Sequence, residues 1–127
     1  MIPQCIKNKQ LEDKVNSIIE TITNNNGTAI KFSNGIMICY AKISGNFEQS
    51  TWGSLYSYSL NDIVYPASFI SEPIVEATVA NGQGGGTGAI TRVITSKTKI
   101  DGISLIRPTE YNSGLFYFNY IAIGRWK

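Results

Sequence analysis

The side chains that most often do chemistry are scarce in this sequence. It contains no histidine. No Ser-His-Asp or Cys-His nucleophile can be assembled, and no imidazole can ligate a metal. Cys5 and Cys39 are too few for a tetrathiolate zinc site and allow at most one bridge. A glycosidase needs two carboxylates across one cleft. The nine carboxylates here are scattered over expected turns and polar faces instead. The run Asn81–Gly88 is rich in glycine, but it lacks the Gly-Lys-Ser/Thr of a phosphate loop and the βαβ context of a dinucleotide site. It reads as a connector between two strands, with a smaller reading as the lining of a binding surface or a neighbouring subunit. No catalytic residue, metal ligand or cofactor is expected.

Aromatic side chains are the more suggestive chemistry. Trp52, Tyr56 and Tyr58 stand at even spacing and share one face if the segment is extended. Aromatic faces beside hydroxylated residues suit a sugar ring, whose C–H face stacks while its hydroxyls need donors and acceptors. These residues are therefore candidate saccharide contacts; the alternative is that their shared face is core. Tyr111, Phe116, Tyr117, Phe118 and Tyr120 put bulk on both faces of one late segment, as in a strand covered on both sides.

The elements that would position these residues fall into two regions. At 127 residues and 14.0 kDa the chain is large enough for one domain. With 43% hydrophobic and 16% charged residues, it should fold. A net charge of +2 is too weak for a dedicated nucleic-acid binder. No apolar run is long enough to insert in a membrane, and the first residues lack the apolar stretch of a signal peptide. In residues 1–26, Leu11, Val15, Ile18 and Ile22 are spaced as an a/d seam, which predicts a short coiled-coil helix ending at Asn24-Asn25-Asn26-Gly27. An amphipathic helix docked on its own domain is the alternative.

Residues 27–127 read as β-structure. Asn34-Gly35 predicts a two-residue type I′ hairpin between Thr28–Ser33 and Ile36–Ile43. Pairing Ser33 with Ile36 would put Ile30, Phe32, Met37, Cys39, Ala41 and Ile43 in the core, with Cys39 a buried, inert thiol. Further strands are expected at Ser54–Leu60, Ile63–Phe69, Ile74–Ala80, Ala89–Thr95, Ile100–Arg107 and Leu115–Arg125. The expected fold is mainly β: a small antiparallel β-sandwich behind a short N-terminal helix.

Three segments carry a resemblance. Gly27-Thr28-Ala29-Ile30-Lys31-Phe32-Ser33-Asn34-Gly35-Ile36-Met37-Ile38-Cys39-Tyr40 resembles the opening hairpin of C-terminal receptor-binding domains of tail fibres from tailed phages and prophages. Tyr65 to Thr78 is similar to that family's "Y-P-x-x-F-x-x-x-P-x-V-x-A-T" segment, and Tyr120 to Lys127 to its closing "[WY]-x-A-I-G-R-W-K". The resemblance implies an H-type-lectin-like sandwich that assembles as a homotrimer in a virion tail, beside other tail proteins. It implies synthesis in the bacterial cytoplasm and non-catalytic attachment to host-surface saccharide. The alternatives are a purely structural trimerisation module or a glycan depolymerase. No sugar-contacting residue is carried over by these motifs.

Overall fold

The structure, a computed structural model, describes residues 17–46, 48–80, 88–110 and 115–127. They form two antiparallel sheets, with no helix among the described residues. The first sheet has the order β1 (Ile18–Asn24), β2 (Gly27–Phe32), β3 (Ile36–Asn46), β10 (Leu115–Arg125) and β7 (Ile74–Ala80). In the second, β4 (Glu48–Trp52) pairs with β5 (Leu55–Leu60), and β5 pairs with β9 (Lys99–Arg107). The short β6 (Ile63–Val64) and β8 (Ala89–Thr95) also pair with β9.

Alternation on each strand sends one face of each sheet into a shared core. The first sheet contributes Ala29, Met37, Cys39, Phe118, Tyr120 and Ala122; the second contributes Tyr58, Ile63, Ile100, Ile103 and Leu105. Tyr65 and Phe69, from the loop after β6, close one side with their rings in an edge-to-face contact at 5.3 Å.

The sequence-predicted helix is overturned where the structure describes it. Residues 1–16 lie outside the described residues, but Ile18–Asn24 is a strand. Its composition explains this: Ile18, Ile19, Thr21, Ile22 and Thr23 are β-branched, and such side chains lose rotamer freedom in a helix but suit a pleated surface. Asn24-Asn25-Asn26-Gly27 is not a helix stop. Asn24 pairs with Gly27 across the turn, and the Asn24 side chain accepts from the Asn26 amide at 2.9 Å. The boundary expected at residue 26 therefore falls inside a hairpin.

The hairpin register is also corrected. Asn34 does not take the positive φ that a type I′ turn demands. Instead the Gly35 amide donates to the Phe32 carbonyl at 3.1 Å, and Gly35 itself takes φ +94°. This is a three-residue loop with its glycine in the left-handed region. One extra loop residue shifts the pairing, so Lys31 meets Met37, Ile30 meets Ile38 and Ala29 meets Cys39. Because strand side chains alternate, the whole of β2 turns over. Ala29 enters the core, and Ile30 and Phe32 move to the outer face. Met37 and Cys39, on the return strand, stay inside as expected.

The three segments that carry the resemblance meet at one end of the first sheet. The Trp126 indole donates to the Phe32 carbonyl at 2.9 Å and the Trp126 amide to the Gly35 carbonyl at 2.9 Å. The Arg125 guanidinium donates to the Asn34 carbonyl at 3.0 Å, and the Ile70 amide to the Arg125 carbonyl at 2.9 Å. Lys31 and Lys127 place their ammonium groups 5.3 and 4.9 Å from the Trp126 ring centroid. These contacts tie the closing strand to the opening hairpin, while Asn34, Ile70, Arg125 and Lys127 remain exposed.

Candidate functional site

A groove lies on the outer face of the second sheet. The β4–β5 turn is two residues, Gly53 and Ser54, with Gly53 at φ +61°. Trp52 therefore pairs with Leu55, Ser50 with Ser57 and Glu48 with Ser59. Paired residues share a face, so Trp52 stands with Ser50, Ser57 and Ser59 on the outside. Tyr56 and Tyr58 point the other way. Tyr58 has no exposed surface and Tyr56 packs against the core, whereas Trp52 is 62% exposed.

The expectation that the three aromatic residues share a face is thus corrected. It assumed an extended chain through Gly53-Ser54, and a hairpin turn resets the alternation. Only Trp52 presents its ring to solvent as a sugar platform would. Tyr58 supports the sheet from beneath.

Across β5, β9 and β8 the outer face continues in register. Ser59 pairs with Ser104, and Ser104 with Arg92, so Glu48, Ser59, Ser104 and Arg92 form one row across four strands. The neighbouring row holds Ser50, Ser57, Ile106 and Ala89. Trp52, Ser57, Ser59, Thr91, Arg92, Ser104 and Ile106 line a shallow groove of about 370 Å³. Ser59 Oγ and Ser104 Oγ lie 3.1 Å apart. Ser104 is only 6% exposed, so its hydroxyl is fixed in the groove floor. Sequence reasoning missed these hydroxyls because their assembly depends on strand order, which the alternation of a single strand does not carry.

The outer face of the first sheet differs in character. Ile30, Ile38, Ile123 and Ile74 lie in one row across four strands. Thr28, Tyr40, Ile121 and Glu76 form the next. Ile74 is 74% exposed, Ile121 49% and Ile123 45%. Exposed isoleucines thus run in adjacent rows across this face, beside Tyr40 and Glu76. Beyond it, Asn25, Asn26, Tyr40, Lys42 and Asn119 border a wider depression of about 560 Å³.

No group of three or more potential metal-ligating side chains occurs among the described residues. The Asn81–Gly88 connector lies outside them except for Gly88, and Cys5 also falls outside.

No protein-family model and no curated protein matches the chain. Two solved structures do. An N-terminally truncated R1-type pyocin tail fibre is 14% identical, with a TM-score of 0.55, and the match covers 98% of this chain and 98% of that one. A C-terminal part of a P. aeruginosa R1 pyocin fibre is 15% identical, with a TM-score of 0.51, over 98% of this chain and 32% of that one. The likeness is one of fold, and this chain spans about a third of that longer fibre fragment.

Proposed function

We propose that the chain is a tail-fibre tip module of a phage or prophage that attaches non-catalytically to host-surface saccharide. One observation carries the reading: the fold matches a pyocin tail fibre over 98% of both chains. The three short segments resembling tail-fibre C-terminal domains agree with it. The groove beside Trp52 supports saccharide as the ligand, because it pairs an exposed indole with serine and threonine hydroxyls. A shallow groove holds one sugar weakly, at about millimolar affinity, and several copies on a rigid assembly would raise the effective concentration. In this reading the apolar row of the first sheet packs against further copies in a homotrimer, in place in a virion tail with other tail proteins.

The test is adsorption of the labelled chain to a panel of bacterial strains, with light scattering of the same sample. The expected result is a mass three times that of one chain, and adsorption that soluble host polysaccharide competes away. Trp52→Ala should abolish adsorption and leave mass and melting temperature unchanged, since Trp52 is largely exposed.

The isoleucine row favours a second reading, a structural module whose task is trimerisation and folding. It predicts the same mass with no adsorption to any strain and no change on substituting Trp52.

A further inference from the structure

We propose that the groove on the second sheet takes a saccharide bearing an anionic group, with the carboxylate or phosphate at Arg92 and a neutral ring on Trp52. This assignment rests on the saccharide reading above and adds a chemical class to it.

The charge of the groove is one-sided. Among the described residues, Arg92 is the single ionisable one in its lining. It is exposed and forms no ion pair with any described residue. The nearest carboxylate in its row is Glu48, at the other end and three strands away. Strand spacing puts their backbones about 14 Å apart. A ligand anion is thus attracted at the β8 end and repelled at the β4 end.

Local backbone irregularity aims Arg92. A bulge interrupts the β8–β9 ladder, so that Ile90 meets Leu105 and Arg92 meets the very next residue, Ser104. Thr91 is the extra residue, and its hydroxyl donates to the Ser104 carbonyl at 3.4 Å. Bulges of this kind redirect a side chain. Without it, continued alternation from Ile90 would put Arg92 on the inner face.

The floor beside the guanidinium is a buried glycine. Gly102 is the next outer-face position along β9. A Cβ there would lie 3.9 Å from an Arg92 terminal nitrogen and 3.2 Å from the Asn61 side-chain oxygen. With no side chain at Gly102, the guanidinium reaches over β9 toward the Asn61 side-chain oxygen, and its other N–H donors face the groove. A guanidinium offers two parallel N–H donors that match the paired oxygens of a carboxylate or phosphate. The Ser59–Ser104 hydroxyl pair keeps one O–H and free lone pairs for a sugar hydroxyl.

The experiment uses the intact chain on an array of paired oligosaccharides. The pairs are 3′-sialyllactose with lactose, a galacturonate trisaccharide with its methyl ester, and phosphorylated core oligosaccharides with their dephosphorylated forms. The expected result is that acidic members of at least one pair bind at least about tenfold tighter than their neutral partners, the effect of one charge-assisted contact. In Arg92→Gln that advantage should vanish while melting temperature and mass hold, and in Trp52→Ala both members should be lost. Raising salt from about 50 mM to about 500 mM should weaken the acidic members alone. Equal binding of both members, unchanged in Arg92→Gln, would overturn the anionic assignment and leave the saccharide reading standing. A preference for acidic members that survives Arg92→Gln would also overturn it. No binding to any sugar by a folded chain would overturn both.

Discussion

Cys39 and two tyrosines occupy the inner side of the first sheet with almost no exposed surface. Burial pushes the Cys39 thiol up from 9.0 to about 11, against the smaller opposing effects of the Ala67 backbone and Lys31. Burial raises the Tyr65 and Tyr120 phenols as well, helped by the charge Cys39 would carry. In the unfolded chain these groups ionise from 9.0 and 10.0 upward. Above those values the unfolded chain binds fewer protons than the folded one, so stability that is complete below about pH 9 is lost as pH rises. Urea midpoints at pH 8 and pH 10.5 should show that fall, and iodoacetamide should spare Cys39 until the chain unfolds. The Tyr65 and Tyr120 hydroxyls have no hydrogen-bond partner among the described residues. Tyr120→Phe should therefore leave stability unchanged or raise it by up to about 1 kcal/mol, whereas Tyr120→Ala should cost about 3–5 kcal/mol. The inert thiol was expected from a hairpin register that the structure corrects; Cys39 stays inside because the shift turns over β2 and not β3. The tyrosine hydroxyls were not legible in the sequence, because their partners, or lack of them, come from segments distant in sequence.

At the scale of elements, turns decided what the sequence revealed. The bounds of β7, β8 and β10 agree with the alternation read from sequence, because each is a long run with clear flanks. Two misreadings came from turns. A three-residue loop at Ser33-Asn34-Gly35 reversed the faces of β2, and a two-residue loop at Gly53-Ser54 separated Trp52 from Tyr56 and Tyr58. Either loop changes which residues are outside without changing which segments are strands. The β1 error had another cause. Four apolar residues at helical spacing outweighed a β-branched composition, and only pairing with β2 settles such a conflict. Gly35 is the element-level test. A Cβ there would meet the Arg125 guanidinium and lie 2.8 Å from the Lys127 carbonyl oxygen, at a φ that side chains rarely adopt. Gly35→Ala should destabilise by about 2 kcal/mol or more, seen as a lower melting temperature. Trp126→Phe, which removes the bond to the Phe32 carbonyl but keeps an aromatic ring, should cost about 1 kcal/mol.

For the whole molecule, the two outer faces differ in character. One carries a row of isoleucines beside Thr28, Tyr40 and Glu76; the other is hydroxylated and carries the exposed indole and Arg92, which has no ion pair among the described residues. In the proposed function the first side is committed to further copies and the second is left for the ligand. If the proposed homotrimer packs through the isoleucine face, Ile121→Lys combined with Ile123→Glu should dissociate it, seen as one-third of the mass in light scattering, with unchanged β-type circular dichroism. Adsorption should weaken sharply in that variant although the groove is intact, because multivalency is lost. A variant that keeps its mass would place the copy-to-copy contact elsewhere.

The position of β10 has a consequence for how the protein is made. It lies between β3 and β7, yet it is translated after both. Until residues 115–125 have been made, β3 and β7 have no common neighbour, and the first sheet can hold only β1, β2 and β3, with an open edge at β3. Hairpins β1–β2–β3 and β4–β5 can form as they emerge, but closure of the sandwich must await the last strand. Trp126 and Arg125 then fasten onto a turn synthesised about ninety residues earlier. Until β10 emerges, β3 and β7 each carry an open edge, and those edges must be kept from pairing with the edges of neighbouring nascent chains on the same messenger.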